Sequence, residues 1–201
     1  MEYISSLMGL DEHALAARVR DGMASQAVDA AIAVMSDAHR DTFRDEGTPY
    51  VRHPLRVALI LLEELGVADA DLTCAALLHD VLEEEPTVVD AAALDACFSA
   101  RVTDLVRCLT DEFRHAGLIR QERKRLYLQR IARECDDCIL VKLCDRVDNL
   151  RSLRYANRPD KQRQMVADTE IYLLPLVDGR GGTFVRLGEL LRHAIHSVDL
   201  P

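Results

Sequence analysis

Aromatic residues make up only 4% of the 201 residues, and there is no Trp. Proteins that hold single-stranded nucleic acid stack bases on rings, so this composition argues against that class. An excess of positive charge is also missing: 25 Lys and Arg face 34 Asp and Glu, a net charge of −9. Nonspecific binding to a nucleic-acid polymer needs the opposite sign. No apolar run approaches the ~20 residues that span a bilayer. Met1 to Leu10 carries Glu2 and no basic stretch, so it does not read as a secretory leader. The expectations are no polymer partner, no membrane and a cytoplasmic location. Alternating strand patterns, internal repeats and low-complexity linkers are absent too.

What is present is the composition of a globular protein, 49% hydrophobic and 29% charged. The length suits one domain with a full core. An all-α domain over 1–201 is expected, with a motif-bearing core over about 25–177 and a closing helix over about 183–197. Helical stripes run from Ser25 to Arg40 and from Pro54 to Leu65, where Gly66 is a stop signal. Asp69 or Asp71 caps a further helix, expected to run through His79-Asp80 towards Pro86. More helices are expected over 88–99, 102–113, 122–134, 138–155 and 159–177. The six cysteines, in a cytoplasmic chain, are expected to be reduced. Cys135 and Cys138 have C-x-x-C spacing but lack a second ligand pair, so two ordinary cysteines are expected there.

Chemistry concentrates around His79-Asp80, which closes the apolar run Ala75-Ala76-Leu77-Leu78 and precedes Glu83, Glu84 and Glu85. His53 lies upstream, beside Pro54, and Asp145 downstream in Val141-Lys142-Leu143-Cys144-Asp145. Together they form an H…HD…D set for one divalent cation, with mixed ligands that suit Mn²⁺, Fe²⁺ or Zn²⁺. On a helix, at about 100° per residue, His79, Asp80, Glu83 and Glu84 share one broad arc. Four ligands leave Glu83 and Glu84 free to orient or deprotonate water. Asn149 and Ser152 follow Asp145 on the same helical stripe, and Lys142 precedes it. His39 reads as a structural hydrogen-bonder, and His13, His115, His193 and His196 as surface or cap residues.

With these motifs in this order, the sequence resembles the HD-domain hydrolases of the alarmone system, the hydrolase half of the Rel/Spo proteins. Its length resembles the stand-alone small alarmone hydrolases. The matching stretches are Ala38-His39 to Arg44, Gly47 to Tyr50, His53-Pro54-Leu55, Ala75 to Glu84 and Val141 to Leu153, with Thr169 to Tyr172 a weaker match. The resemblance implies removal of pyrophosphate from the 3′ position of a guanosine tetra- or pentaphosphate, with Mn²⁺ as the metal. It implies His53, His79, Asp80 and Asp145 as metal ligands and Glu83 with Glu84 as the acids that position water. Arg44 maps near the nucleobase, Asn149 and Ser152 near substrate, and Arg120 near a phosphate-binding position. Lys161 and Arg163 are further phosphate candidates. The expected partner is a small, hyperphosphorylated purine nucleotide.

The chain departs from the family pattern at Glu84, where Asp is usual, and at Glu85, Asp148, Asp45 and Ser152. Asp45 near the base region keeps an adenosine alarmone of the ppApp type as an alternative substrate. A nucleotide or NADPH phosphatase is a second alternative, and a degenerate HD domain that binds nucleotide without turnover a third.

Overall fold

The structure, a computed structural model, describes residues 7–83 and 89–198. Among these residues there are ten α-helices and no β-strand, only an isolated bridge between Phe43 and Pro49. The helices are α1 (Glu12–Gly22), α2 (Gln26–Ala38), α3 (Arg52–Leu59), α4 (Ala70–Leu78) and α5 (Ala91–Cys97). They continue with α6 (Ala100–Leu109), α7 (Arg120–Ile131), α8 (Asp136–Leu153), α9 (Pro159–Asp168) and α10 (Thr183–Ser197).

Sequence explains most of these boundaries. Asp69 accepts the Leu72 N–H at 3.0 Å and starts α4, a cap of the kind that contributes about 1 kcal/mol. Asp11, Asp90 and Ser99 do the same for α1, α5 and α6. Ser25 precedes α2 as expected, although its hydroxyl makes no capping bond. The widened turn Ile60–Glu64 carries α3 onward. Gly66 ends it at φ +67°, a conformation that costs glycine little.

Two buried helices organise the core. Leu72 to Leu78 of α4 are all buried, the pattern of a helix surrounded by protein rather than lying on a surface. The long α8 packs against α3, α4, α6 and α10. Its Ile139, Val141, Leu143 and Val147 have no solvent exposure. His53 on α3 and Asp145 on α8 therefore sit on elements fixed by close packing, and His79-Asp80 directly follows a third.

Three features differ from the sequence-based expectations. α1 was not foreseen, and it packs against α3. α4 ends at Leu78, so His79-Asp80 occupies a turn and Glu83 a short 3₁₀ turn, Val81–Glu83. The common helical arc drawn through these residues is thus replaced by a turn, and Glu84 lies outside the described residues. Finally, Cys108 on α6 and Cys138 on α8 form a disulfide with a Cα–Cα distance of 6.6 Å. This corrects the expectation of reduced cysteines: α6 and α8 pack together, and the packing joins residues 30 apart in sequence. Cys135 stays free and exposed, so the C-x-x-C spacing pairs nothing.

Candidate active site

The end of α4, the start of α3 and the middle of α8 converge on one point. His53 Nε2 lies 3.2 Å from Asp145 Oδ1 and 3.8 Å from Asp80 Oδ2. His79 Nε2 lies 3.0 Å from Asp80 Oδ2 and 3.8 Å from Asp145 Oδ1. Potential donor atoms of His53, His79 and Asp80 all fall within 4.8 Å of one another. Both imidazoles are buried, at 1% exposure.

The tautomers explain why a cation suits this point. His79 Nδ1 donates to the Ala76 carbonyl at 2.8 Å. His53 Nδ1 donates to the Asp148 carboxylate at 2.7 Å. Each neutral ring then turns a lone pair on Nε2 towards the carboxylates of Asp80 and Asp145. His79 Nε2, although close to Asp80, has no well-directed hydrogen bond. Lone pairs facing carboxylates repel unless a proton or a metal ion lies between them. Without a metal, a proton takes that place. Burial opposes charging His79, but Asp80 and Asp145 outweigh it and raise its pKa to about 9. Two imidazole nitrogens and two carboxylates form a donor set suited to a divalent ion.

Supporting groups hold the donors in place. Asp148 accepts Arg56 Nε at 2.6 Å and Nη2 at 3.0 Å. Burial would raise its carboxyl pKa, but Arg56 and His53 hold it well below the ordinary range. This carboxylate–histidine pairing fixes ring orientation and strengthens the other nitrogen as a donor. Ser152 is fully buried behind it and accepts from Arg56 Nη2 at 3.0 Å. Tyr50 donates to Asp80, and its ring lies against His39 and His53. Lys142 donates to Asp145 Oδ2 at 2.7 Å, and Asn149 donates to Asp145 Oδ1.

One cavity opens on this cluster, and two others share lining residues with it. The first, about 230 Å³, is lined by Asp80, Glu83, Asp145, Lys124, Lys142 and Arg146 among others. Glu83 accepts the Asp111 N–H at 2.8 Å and Arg114 Nη1 at 3.0 Å. Burial, reinforced by Asp80, raises its carboxyl pKa and makes it a better proton acceptor than a free glutamate. The second, also about 230 Å³, contains Arg44, Asn149, Phe43 and Met165, and shares Tyr50 and Asn149 with the first. Arg44 Nη2 donates to Asn149 Oδ1 at 2.8 Å. The third, about 590 Å³, holds Arg120 and Lys161 and meets the first at Lys124. Asp45, at the rim of the second, is bonded by Lys161 and lies 3.6 Å from Arg158. Lys161, first in effect, holds its carboxyl below the usual pKa.

The structure thus brings His53, His79, Asp80 and Asp145 together and puts Glu83, Arg44, Asn149, Arg120 and Lys161 on adjoining cavity walls. Ser152 lines none of the three cavities. Arg163 is exposed and pairs with Asp160 at 2.5 Å. Sequence reasoning missed Asp148 and Arg56 as supports, Tyr50 as an Asp80 donor, and Arg146 altogether. The spacing Asp145-x-x-Asp148 places a second acid one helical turn on, which was the available signal for Asp148. Arg56 and Asp148 are 92 residues apart, and no local pattern links them.

With this geometry in view, comparison with known proteins is decisive. A model of the HD domain matches residues 31–182. The human guanosine-3′,5′-bis(diphosphate) 3′-pyrophosphohydrolase MESH1 is 37% identical over 148 residues, 74% of this chain and 80% of the relative. This chain belongs to the HD-domain hydrolases of the Rel/Spo family. The bifunctional (p)ppGpp synthase/hydrolase SpoT of Escherichia coli is 35% identical over 69% of this chain but only 20% of its own length. A solved structure of a metazoan SpoT ortholog that hydrolyses ppGpp superposes with a TM-score of 0.71 at 30% identity. It covers 84% of this chain and 96% of its own. No helix among the described residues is long and apolar enough to cross a membrane.

Proposed function

We propose that this member of the family hydrolyses guanosine 3′,5′-bis(diphosphate) and its pentaphosphate analogue, releasing the 3′ group as pyrophosphate. The observation that carries this reading is the convergence of two Nε2 lone pairs and two carboxylates on a cavity with cationic walls. The human relative named for that activity supports the reaction and the guanosine base.

His53, His79, Asp80 and Asp145 are assigned as ligands of one divalent ion, for which we choose Mn²⁺. When bound, such an ion acidifies water and neutralises phosphoryl oxygens. Glu83, with its raised pKa, is assigned as acceptor of the proton from the attacking water. Glu84 is retained as a second acid from the sequence alone. Arg44, Asn149 and Tyr50 form the wall for the nucleoside, and Arg120 and Lys161 face the 5′ phosphates. Ser152 acts indirectly, by holding Arg56 against Asp148. Water oxygen bonds to the 3′ phosphorus, the P–O3′ bond breaks, and O3′ takes up a proton. GDP and pyrophosphate are the products from the tetraphosphate. The activity is placed in the cytoplasm, on free nucleotide rather than polymer or membrane.

The test is product-resolved chromatography of ppGpp incubated with purified protein and Mn²⁺, Fe²⁺, Zn²⁺ or Mg²⁺. GDP and pyrophosphate in equal amounts, fastest with Mn²⁺, is the expected result. Orthophosphate release, or no turnover with a loaded site, contradicts the proposal.

A further inference from the structure

Arg146 is 5% exposed. Its Nε and Nη1 are buried without hydrogen-bond partners. Among the described residues no carboxylate oxygen lies within 4.0 Å of its guanidinium. Asp145 and Asp168 act on it only at longer range. A buried guanidinium normally has a carboxylate or carbonyl against it, because desolvating an unpaired cation is costly. The other two cations of the same cavity obey that rule. Lys142 is bonded to Asp145 at 2.7 Å, and Lys124 lies 2.6 Å from Asp168. Arg146 lines the same cavity as Asp80, Glu83 and Asp145. Its missing partner is therefore an anion that enters this cavity.

The arrangement of cavities identifies the anion. Tyr50 and Asn149 stand where the metal-ligand cavity meets the nucleoside cavity. Lys124 stands where it meets the large one. A 3′ diphosphate entering past Tyr50 and Asn149 puts its inner phosphorus at the ligand cluster. Its outer phosphoryl then continues towards Lys124 and Arg146. We propose that Arg146, with Lys124 beside it, forms the subsite for the outer phosphoryl of the 3′ diphosphate, which departs as pyrophosphate. A planar guanidinium can bond two phosphoryl oxygens at once. In the free protein it lines the cavity with Nε and Nη1 unbonded. This inference rests on the pyrophosphohydrolase reading, because it takes the 3′ diphosphate as the reacting group.

The test uses Arg146→Met and Arg146→Lys, with inorganic pyrophosphate and GDP as separate inhibitors at fixed free metal. Arg146→Met is expected to weaken pyrophosphate inhibition at least about tenfold, as loss of a bidentate charged contact does, and to leave GDP inhibition within about twofold. Arg146→Lys recovers part of the loss. The melting temperature of ligand-free Arg146→Met should equal or exceed that of the wild type, since a buried unpaired charge has been removed. The rise in melting temperature that pyrophosphate gives the wild type should vanish in the variant. Equal weakening of GDP and pyrophosphate, a lower ligand-free melting temperature, or unchanged pyrophosphate inhibition overturns the subsite. Failure of the functional reading looks different: the wild type then leaves ppGpp intact, and pyrophosphate protection against heating still tests Arg146.

Discussion

Asp148 and Arg146 are buried charges two residues apart on α8, yet they face opposite conditions. Asp148 meets His53 at 2.7 Å and Arg56 at 2.6 and 3.0 Å, so its charge is balanced within the fold. Arg146 has no such partner among the described residues. The side of α8 towards α3 is finished before any ligand arrives, and it fixes the geometry of His53. The side towards α7 is completed from outside. Preorganised donors and an unpaired cation on one helix separate what holds the site from what the site holds.

Removing the finished side should have the largest effect. His53→Ala or Asp80→Ala should abolish stoichiometric metal binding and lower turnover by at least about 10³-fold, since metal-assisted hydrolysis loses its ion. Metal analysis beside kinetics reads this, and full activity without metal would contradict the assignment. Asp148→Ala tests the support alone. It leaves Arg56 buried without its partner, which should cost about 3 kcal/mol or more in denaturant unfolding. Loss of the contact to His53 should also weaken metal binding about 10–100-fold. A variant as stable as the parent would show that the pair contributes nothing.

Glu83→Gln separates chemistry from binding. It should keep the metal and slow kcat about 10²-fold or more, because an amide does not take a proton from water. If it loses metal instead, Glu83 is a ligand.

The pH dependence follows from His79. In the metal-free protein its pKa is raised from 6.5 to about 9, against the effect of burial, chiefly by Asp80. Its protonation therefore stabilises the fold fully below about pH 6.5, and that contribution is lost as pH rises through about 9. A metal ligand must shed this proton, so metal affinity should climb by about tenfold per pH unit between roughly pH 7 and 9. Titration calorimetry in buffers of different ionisation enthalpy counts the proton released. Proton-free binding there would show that His79 is not a ligand. The smallest effect is expected at the rim. Lys161→Ala removes a half-exposed pair with Asp45, worth about 0–1 kcal/mol, and should change KM by no more than about fivefold.

The contrast between these groups also explains what could be read from the sequence. The convergence of His53, His79, Asp80 and Asp145 was legible because His79 and Asp80 end an apolar run that can only be core. The helical class was legible from periodicity and caps such as Asp69. The local path of the chain at His79 was not, because the turn after Leu78 is imposed by packing rather than by a Gly or Pro signal. The disulfide joins helices whose neighbourhood is a property of the whole fold. The Asp148–Arg56 pair depends on the crossing of α3 and α8. Arg146 looks like any helical arginine until burial and the lack of a partner are known. Asp45, which raised the question of an adenosine substrate, is tied up by Lys161 at the rim.

Hydrolysis of ppGpp in ¹⁸O-water by the metal-loaded protein, with mass analysis of both products, tests the central claim most directly. The account predicts GDP and pyrophosphate in equal amounts, with one ¹⁸O in pyrophosphate and none in GDP, since water attacks phosphorus and P–O3′ breaks. Label in GDP, release of orthophosphate, or absence of turnover with the metal bound would contradict it.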